Sequence, residues 1–145
     1  MEHVGLLVDI SINDIENYKN LITNIILEHK ENSKFHSISC SNIIKIVYNN
    51  LDLYDINNLD NIFIKTFKKT KNICDGFLEL IYLVNGNHYE DEEITLYILT
   101  DSINMKNINI LYNKLQNEKK INNKWKIINI ETDEININDL EQIYM

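Results

Sequence analysis

Three residue types are missing from this chain, and several others, Gly and Cys among them, are rare. It contains no Ala, no Arg and no Pro, and only 3 Gly and 2 Cys among 145 residues. Without Arg, there is no guanidinium fork to bind a phosphate or a carboxylate through two parallel hydrogen bonds. Asn and Ile together fill roughly a third of the positions, far above ordinary usage. We interpret this bias as a product of AT-rich coding and not of function.

Positive charge is scarce as well. Basic residues number 14 against 22 Asp and Glu, which leaves a net charge of -8. A surface of this sign repels phosphate backbones and anionic lipid headgroups. No apolar run approaches the roughly 20 residues that a membrane-spanning helix needs. We therefore expect neither nucleic acid nor a membrane among the partners.

The cysteines and the amino terminus predict the compartment. Cys40 and Cys74 stand alone, with no CxxC pair. The first residues contain neither the basic stretch nor the uninterrupted apolar core of a secretion signal. We expect an intracellular protein with reduced thiols.

The spacing of apolar residues predicts one domain over residues 1–145, built from strands and helices. Apolar and β-branched runs predict strands over residues 4–8, 35–40, 43–48, 94–99 and 126–130. Helical spacing predicts helices over residues 15–29, 59–67, 73–84 and 108–115, with a closing helix from 139. A capping box at 13–16 opens the first helix. This order predicts an α/β fold, a Rossmann-like doubly wound, mostly parallel sheet with one antiparallel edge strand.

Polar residues follow two of the predicted parallel strands. Asp9 ends the first strand, and Asp101 follows the strand over residues 94–99. Because the carboxyl ends of parallel strands meet at one edge of such a sheet, we expect both carboxylates at the same rim. Three hypotheses compete for this rim.

The first hypothesis is a metal-ion-dependent adhesion site. The segment Asp9-x-Ser11-x-Asn13 resembles the Asp-x-Ser-x-Ser motif of von Willebrand factor A domains. Thr70 and the Thr100-Asp101-Ser102 corner follow in the order and rough spacing of the other ligands. Such a site holds Mg²⁺ through oxygen ligands and leaves one position for an acidic residue of the partner. However, Asn13 stands in place of the second serine. Capping of the first helix by Ser11 and Asn13 explains the same residues without a metal.

The second hypothesis is a metal-dependent nuclease that uses Asp9, Asp75 and Asp101. Two-metal hydrolysis needs several carboxylates within reach of two ions about 4 Å apart. The loop after Asp101 supplies no second acid, and an acidic chain offers nucleic acid no basic face. The alternative for Asp75 is an acid near a helix start, where the helix dipole favours it.

The third hypothesis is a protein-docking domain without catalysis, cofactor or metal. The four His residues share no ligand spacing, and neither Cys has a His placed as a base. A rigid sheet with specific loops is sufficient for docking.

Three segments of the carboxyl half resemble one family. They are Asn72-Ile-Cys-Asp-Gly76, Lys114-Leu-Gln-Asn-Glu-Lys-Lys120 and Lys126-Ile-Ile-Asn-Ile-Glu-Thr-Asp-Glu134. They are similar to the von Willebrand A domain of the multiubiquitin-chain receptor family of the 26S proteasome regulatory particle. That family opens the same helix with Asn-Phe-Cys-Thr-Gly and forms its last strand from Asp-Ile-Ile-Asn-Phe-Gly-Glu. Ser102 also matches a serine in that family, where adhesion-type domains keep glycine.

The resemblance implies a fold and a role. The fold would be of von Willebrand A type. The chain would be a non-enzymatic scaffold of the cytoplasm and nucleus that contacts lid and base subunits of the proteasome. The family's ubiquitin-interacting motifs are short Leu-Ala-rich helices after the domain, and we expect them to be absent because the chain contains no Ala. Docking would use the rim residues Asp9, Ser11, Asn13, Asp101 and Ser102.

An alternative is another intracellular A-domain scaffold, such as the small A-domain subunit of TFIIH. Its buried helix also resembles Gly76-Phe-Leu-Glu-Leu-Ile-Tyr-Leu-Val. That family carries a zinc-binding tail, whereas this chain has no Cys after Cys74.

Overall fold

The structure, a computed structural model, describes residues 2–9, 15–29, 33–40, 44–53, 73–86, 92–118 and 125–131. Its strands are β1 (Glu2–Asp9), β2 (Lys34–Cys40), β3 (Ile44–Asp52), β4 (Glu93–Thr100) and β5 (Lys126–Glu131). Its helices are α1 (Ile15–Leu27), α2 (Ile73–Asn85) and α3 (Ser102–Asn117). The helices predicted over 59–67 and from 139 lie outside the described residues. None of the helices in the described ranges is both long and apolar enough to cross a membrane.

The five strands form one sheet in the order β3-β2-β1-β4-β5. β1 pairs in parallel with β2 and with β4, and β4 pairs in parallel with β5. Only β3 runs antiparallel, at the edge beside β2. Parallel strands buried on both faces need continuous apolar runs, and β1 has one from Val4 to Val8. The predicted α/β fold, mostly parallel with one antiparallel edge strand, is confirmed.

The sheet separates two apolar layers. Because side chains alternate along a strand, Val4, Leu6 and Val8 of β1 pack with α1 on one face. Leu7 points to the other face, where it joins the buried sides of α2 and α3. α1 and α3 therefore lie on opposite faces of the sheet.

The edge strand β3 is longer than the predicted 43–48, and it is irregular. Its pairing with β2 shifts register twice, between Phe35 and Ser37 and between Ser37 and Ile38. Asn50 adopts a left-handed backbone with φ of 57°, which Asn tolerates better than most residues. An ion pair between Lys34 and Asp52 joins the two strands beyond these shifts. The irregularity also protects an exposed edge, because a bulged strand is a poor template for another chain.

Candidate functional site

The carboxyl edge of the sheet gathers the ends of three adjacent strands. β2 ends at Cys40, β1 at Asp9 and β4 at Thr100. Cys40 and Asp9 are direct partners in the parallel register. Asp101 follows β4 immediately and opens α3. The predicted convergence of Asp9 and Asp101 at one rim therefore follows from the strand order.

Asp9 is a buried carboxylate, with 2% of its surface exposed. Its Oδ2 accepts a hydrogen bond from the Thr100 hydroxyl at 3.1 Å, which links β1 to the end of β4. Burial leaves this carboxylate little surface for a partner. Its direct effect is to hold the corner formed by Thr100 and Asp101, and a docking role for Asp9 stays a prediction.

Asp101 is the N-cap of α3. Its Oδ1 accepts a hydrogen bond from the backbone N–H of Asn104 at 2.8 Å, which satisfies a helix donor that would otherwise lack a partner. The Asn104 side-chain amide donates to Asp101 Oδ2 at 3.3 Å and reaches Thr100 Oγ1 at 3.5 Å. Asp101 and Ser102 are both partly exposed. They are the predicted docking residues that the structure presents to solvent at this rim.

The remaining predicted rim residues, Ser11 and Asn13, lie outside the described residues, as does Thr70. Of the adhesion-site ligand set, Asp9 and the Thr100-Asp101-Ser102 corner lie in the described part of the chain. In the described ranges, no group of three or more His, Cys, Asp or Glu side chains could hold a metal ion. The described part of the rim is thus a polar corner formed by Asp9, Thr100 and Asp101.

Cys40 lies at this rim, and its environment suppresses its reactivity. Burial raises the pKa of the Cys40 thiol to about 12, and the charges of Asp9 and Asp75 act in the same direction. Burial likewise raises the pKa of Cys74, with Asp75 adding to the effect. Because the thiolate is the nucleophile, neither thiol is activated for chemistry at neutral pH.

Asp75, the third carboxylate of the nuclease hypothesis, lies in the first turn of α2 and is exposed. Its charge acts on both Cys40 and Cys74, which places it beside the rim. An acid in the first turn also interacts favourably with the helix dipole, so α2 itself accounts for this residue.

The two thiols should differ in alkylation. At pH 8 we expect iodoacetamide to modify the partly exposed Cys74 slowly and to leave the buried Cys40 unmodified. A pKa of about 12 leaves about one Cys40 in ten thousand as thiolate at that pH. Peptide mass spectrometry measures each site, and the same reaction in urea should modify both. Rapid native modification of Cys40 would contradict its burial.

Asn104 completes the rim, and sequence reasoning missed it. The spacing Asp101-x-x-Asn104 is the available signal, because it places a cap residue three positions before a polar side chain at the helix start. Thr100 belongs to the predicted corner, but its hydrogen bond to Asp9 was not predictable, since that contact depends on the pairing of β1 with β4.

A second polar cluster lies at the opposite, amino edge of the sheet. On the α1 face, His29 Nδ1 contacts Glu2 Oε1 at 2.7 Å, and His29 Nε2 contacts the Tyr97 hydroxyl at 2.5 Å. On the other face, His3 Nδ1 lies 2.9 Å from His36 Nε2 in a fully buried pair. No shared ligand spacing marked these histidines in the sequence. Their contacts arise because the strands bring distant residues side by side.

Comparison with known proteins bears on the fold. The sequence matches no protein-family model and no curated protein. Among solved structures, the chain is similar to the conserved hypothetical protein BatB from Bacteroides thetaiotaomicron, with a TM-score of 0.54 and 16% identity over 89% of this chain. It is also similar to proximal thread matrix protein 1 from the mussel byssus, with a TM-score of 0.61 and 15% identity over 99% of this chain.

A third similar structure is the SpRpn10 VWA domain, with a TM-score of 0.57 and 10% identity. Here the match covers 99% of this chain and 95% of that domain. By contrast, the chain spans 64% of the BatB structure and 41% of the byssus protein. These likenesses show that the fold is of von Willebrand A type.

Proposed function

We propose that this chain is a non-catalytic scaffold subunit of the 26S proteasome regulatory particle, bridging lid and base in ubiquitin-dependent protein degradation. The observation that carries the proposal is the match to the VWA domain of proteasome Rpn10, which extends over nearly the whole of both chains. The other similar structures contain this fold as a smaller part of a longer chain.

The segments that carry the family resemblance support the same proposal. Ile73 to Gly76 of the first segment open α2, and Lys126 to Glu131 of the third form β5. These are the helix and the strand that the resemblance assigns to them.

The chemistry of the rim supports docking more than catalysis. Its thiol, Cys40, has a pKa of about 12 and is a poor nucleophile at neutral pH. Asp101 and Ser102 present a carboxylate and a hydroxyl on a rigid corner, which suits hydrogen bonding to a neighbouring protein.

Affinity purification of the tagged chain from its native cell, followed by mass spectrometry, tests the assignment. We expect subunits of the proteasome lid and base in stoichiometric recovery. Recovery of TFIIH subunits without proteasome subunits would replace the proposal by the alternative A-domain scaffold.

Asp101→Asn tests the rim without disturbing the fold. Asn caps helices about as well as Asp, so the variant removes the charge and keeps the cap. We expect recovery of the regulatory particle to fall about three- to tenfold, as expected for one charge at an interface. Glu79→Gln, which removes one exposed charge from α2, is the matched control and should leave recovery unchanged. Equal recovery with both variants would take Asp101 out of the interface.

The Mg²⁺-dependent adhesion-type alternative has its own test. The measurement is calorimetric titration with Mg²⁺ and Mn²⁺. If the rim holds an ion, the natural chain should bind these metals and Asp9→Asn should bind them more weakly. Asn keeps an acceptor for the Thr100 hydroxyl, so a loss of binding would not reflect unfolding.

A further inference from the structure

The outward face of α3 carries two strongly exposed isoleucines. Ile103 is 73% exposed and Ile110 is 61% exposed. The two residues are seven positions apart, so they lie on one side of the helix, separated by about 10 Å at a rise of 1.5 Å per residue. Both are therefore available to a partner at once.

These isoleucines contribute little to the core. α3 packs on the sheet through a different side, which buries Met105, Ile108 and Leu115. An amphipathic surface helix needs only one such apolar side, and the opposite side is ordinarily polar. Ile103 and Ile110 form a second apolar strip on the exposed side. Removing this strip from water is favourable, and that requires another surface to cover it.

The charge of this face is opposite in sign to the net charge of the chain. α3 contains Lys106 and Lys114 and no acid from Ser102 to Asn117. Both lysines are exposed, beside the two isoleucines on the outward side. The whole chain has a net charge of -8. Because α3 contributes two positive charges, the residues outside α3 are together more acidic than the chain as a whole. Acids stand only at the ends of the helix, as Asp101 and Glu118.

We propose that the outward face of α3 is a docking site for an acidic amphipathic helix of a partner protein. Apolar residues of that helix, spaced seven apart, would cover Ile103 and Ile110, and its Asp or Glu side chains would pair with Lys106 and Lys114. Helix recognition of this kind uses anchors at positions i, i+3 or i+4, and i+7. Charge supplies the specificity, because the two lysines attract an acidic helix and repel a basic one.

The charge distribution favours this occupant over two others. An anionic membrane would attract the two lysines but repel the more strongly acidic remainder of the chain. In a dimer with the two α3 helices antiparallel, Lys106 of one copy would face Lys114 of the other. These like charges would repel each other. An acidic helix is small enough to contact the basic face alone.

Selection from a displayed library of random peptides about 16 residues long tests the proposal, since that length spans about four helical turns. The bait is the full chain, and enriched peptides are synthesised and titrated by fluorescence anisotropy. We expect enriched peptides to be acidic, with apolar residues at helical spacing. Their binding should weaken as salt rises, because screening weakens charge pairing at an exposed surface.

Three variants locate the binding site. Ile103→Asn with Ile110→Asn should weaken peptide binding at least about tenfold, as expected when anchor residues are lost. Lys106→Gln with Lys114→Gln should weaken it about three- to tenfold and remove most of the salt dependence, because it removes both positive charges. Leu27→Asn is the matched control, because Leu27 is 46% exposed on α1, across the sheet from α3. It should bind peptides as the natural chain does, and circular dichroism checks that all variants stay folded.

Several results would overturn the proposal: no enriched peptide, enriched peptides that are basic, or equal binding by the Ile103 and Ile110 variant. Sedimentation with phosphatidylserine vesicles that depends on these isoleucines would make the face a membrane surface instead. Self-association that the same variant abolishes would make it an interface between copies. Because every readout uses the purified chain, these failures remain distinct from a failure to recover the regulatory particle.

Discussion

Replacement of Gly76 by Ala should destabilise the domain, although Ala favours a helix more than Gly does. A Cβ atom at position 76 would lie far inside van der Waals contact with Cys40 Sγ, and 3.1 Å from Leu7 Cδ1. Both neighbours are buried on strands of the central sheet, so neither can move away freely. Overpacking of this kind costs about 1–3 kcal/mol, whereas the gain in helix propensity is about 1 kcal/mol. We expect the clash to win, with a net loss of up to about 2 kcal/mol in the free energy of unfolding.

Cys40→Ala should suppress this loss. It removes the sulfur atom that the new methyl group at position 76 would meet, so that methyl group occupies the vacated space. In a double-mutant cycle measured by urea denaturation, we expect a favourable coupling of more than about 1 kcal/mol between the two substitutions. Gly86→Ala is the control, because its Cβ would meet only backbone oxygens at 3.4 and 3.7 Å. Additive effects at positions 40 and 76 would show that the close approach of α2 to the sheet does not depend on this glycine.

Gly76 also shows what the sequence can and cannot predict. The motif that ends in Gly76 predicted the start of α2, and α2 does begin at Ile73. The reason for the glycine was not predictable, because the sequence does not say that Cys40 lies beneath it. The start of a helix depends on neighbouring residues in the sequence, whereas the contact between Gly76 and Cys40 joins residues far apart in the chain.

The same division holds elsewhere in the fold. α1 was predictable because Tyr18, Ile22 and Ile26 recur at helical spacing, and all three are buried against the sheet. α3 was predictable from apolar residues that begin at Ile108, but the helix itself starts at Ser102, because Asp101 caps it there. The register shifts between β2 and β3 could not be predicted, because no periodic pattern in the sequence marks them.

For the rim, the sequence predicted the convergence of Asp9 and Asp101 from strand order alone. It did not predict that Asp9 is buried against Thr100, which makes the carboxylate a structural link at the corner. Exposure depends on the packing of neighbouring loops and helices, and no local pattern encodes it.

The second large effect is expected at His36, which links the edge strand β3 to the centre of the sheet. The backbone N–H of Asn50 donates to His36 Nδ1 at 3.1 Å, so this nitrogen carries no proton. His36 therefore has its proton on Nε2, which donates to His3 Nδ1 at 2.9 Å. His3 in turn donates from Nε2 to Glu92 Oε2 at 3.1 Å. Because an amide N–H can only donate, one backbone group sets the direction of the whole chain of hydrogen bonds.

His36→Leu removes two of these three hydrogen bonds. It takes the acceptor from the Asn50 N–H and the donor from His3 Nδ1, in a site where both imidazoles are buried. A buried polar group that loses its partner costs about 1–3 kcal/mol, so we expect a loss of about 2–5 kcal/mol in the free energy of unfolding. Glu92→Gln is the milder comparison, because the Gln carbonyl still accepts from His3 Nε2.

Hydrogen exchange separates this mechanism from a general loss of packing. If the Asn50 amide depends on His36, its exchange should accelerate in His36→Leu more than that of amides in the β1 and β4 pairing, which lies at the centre of the sheet. His36→Asn can offer its side-chain oxygen to the Asn50 N–H, so it should restore part of the protection of that amide and only part of the stability. Uniform acceleration across the sheet, or a stability loss no greater than that of Glu92→Gln, would show that the His3 and His36 pair does not hold β3 in place.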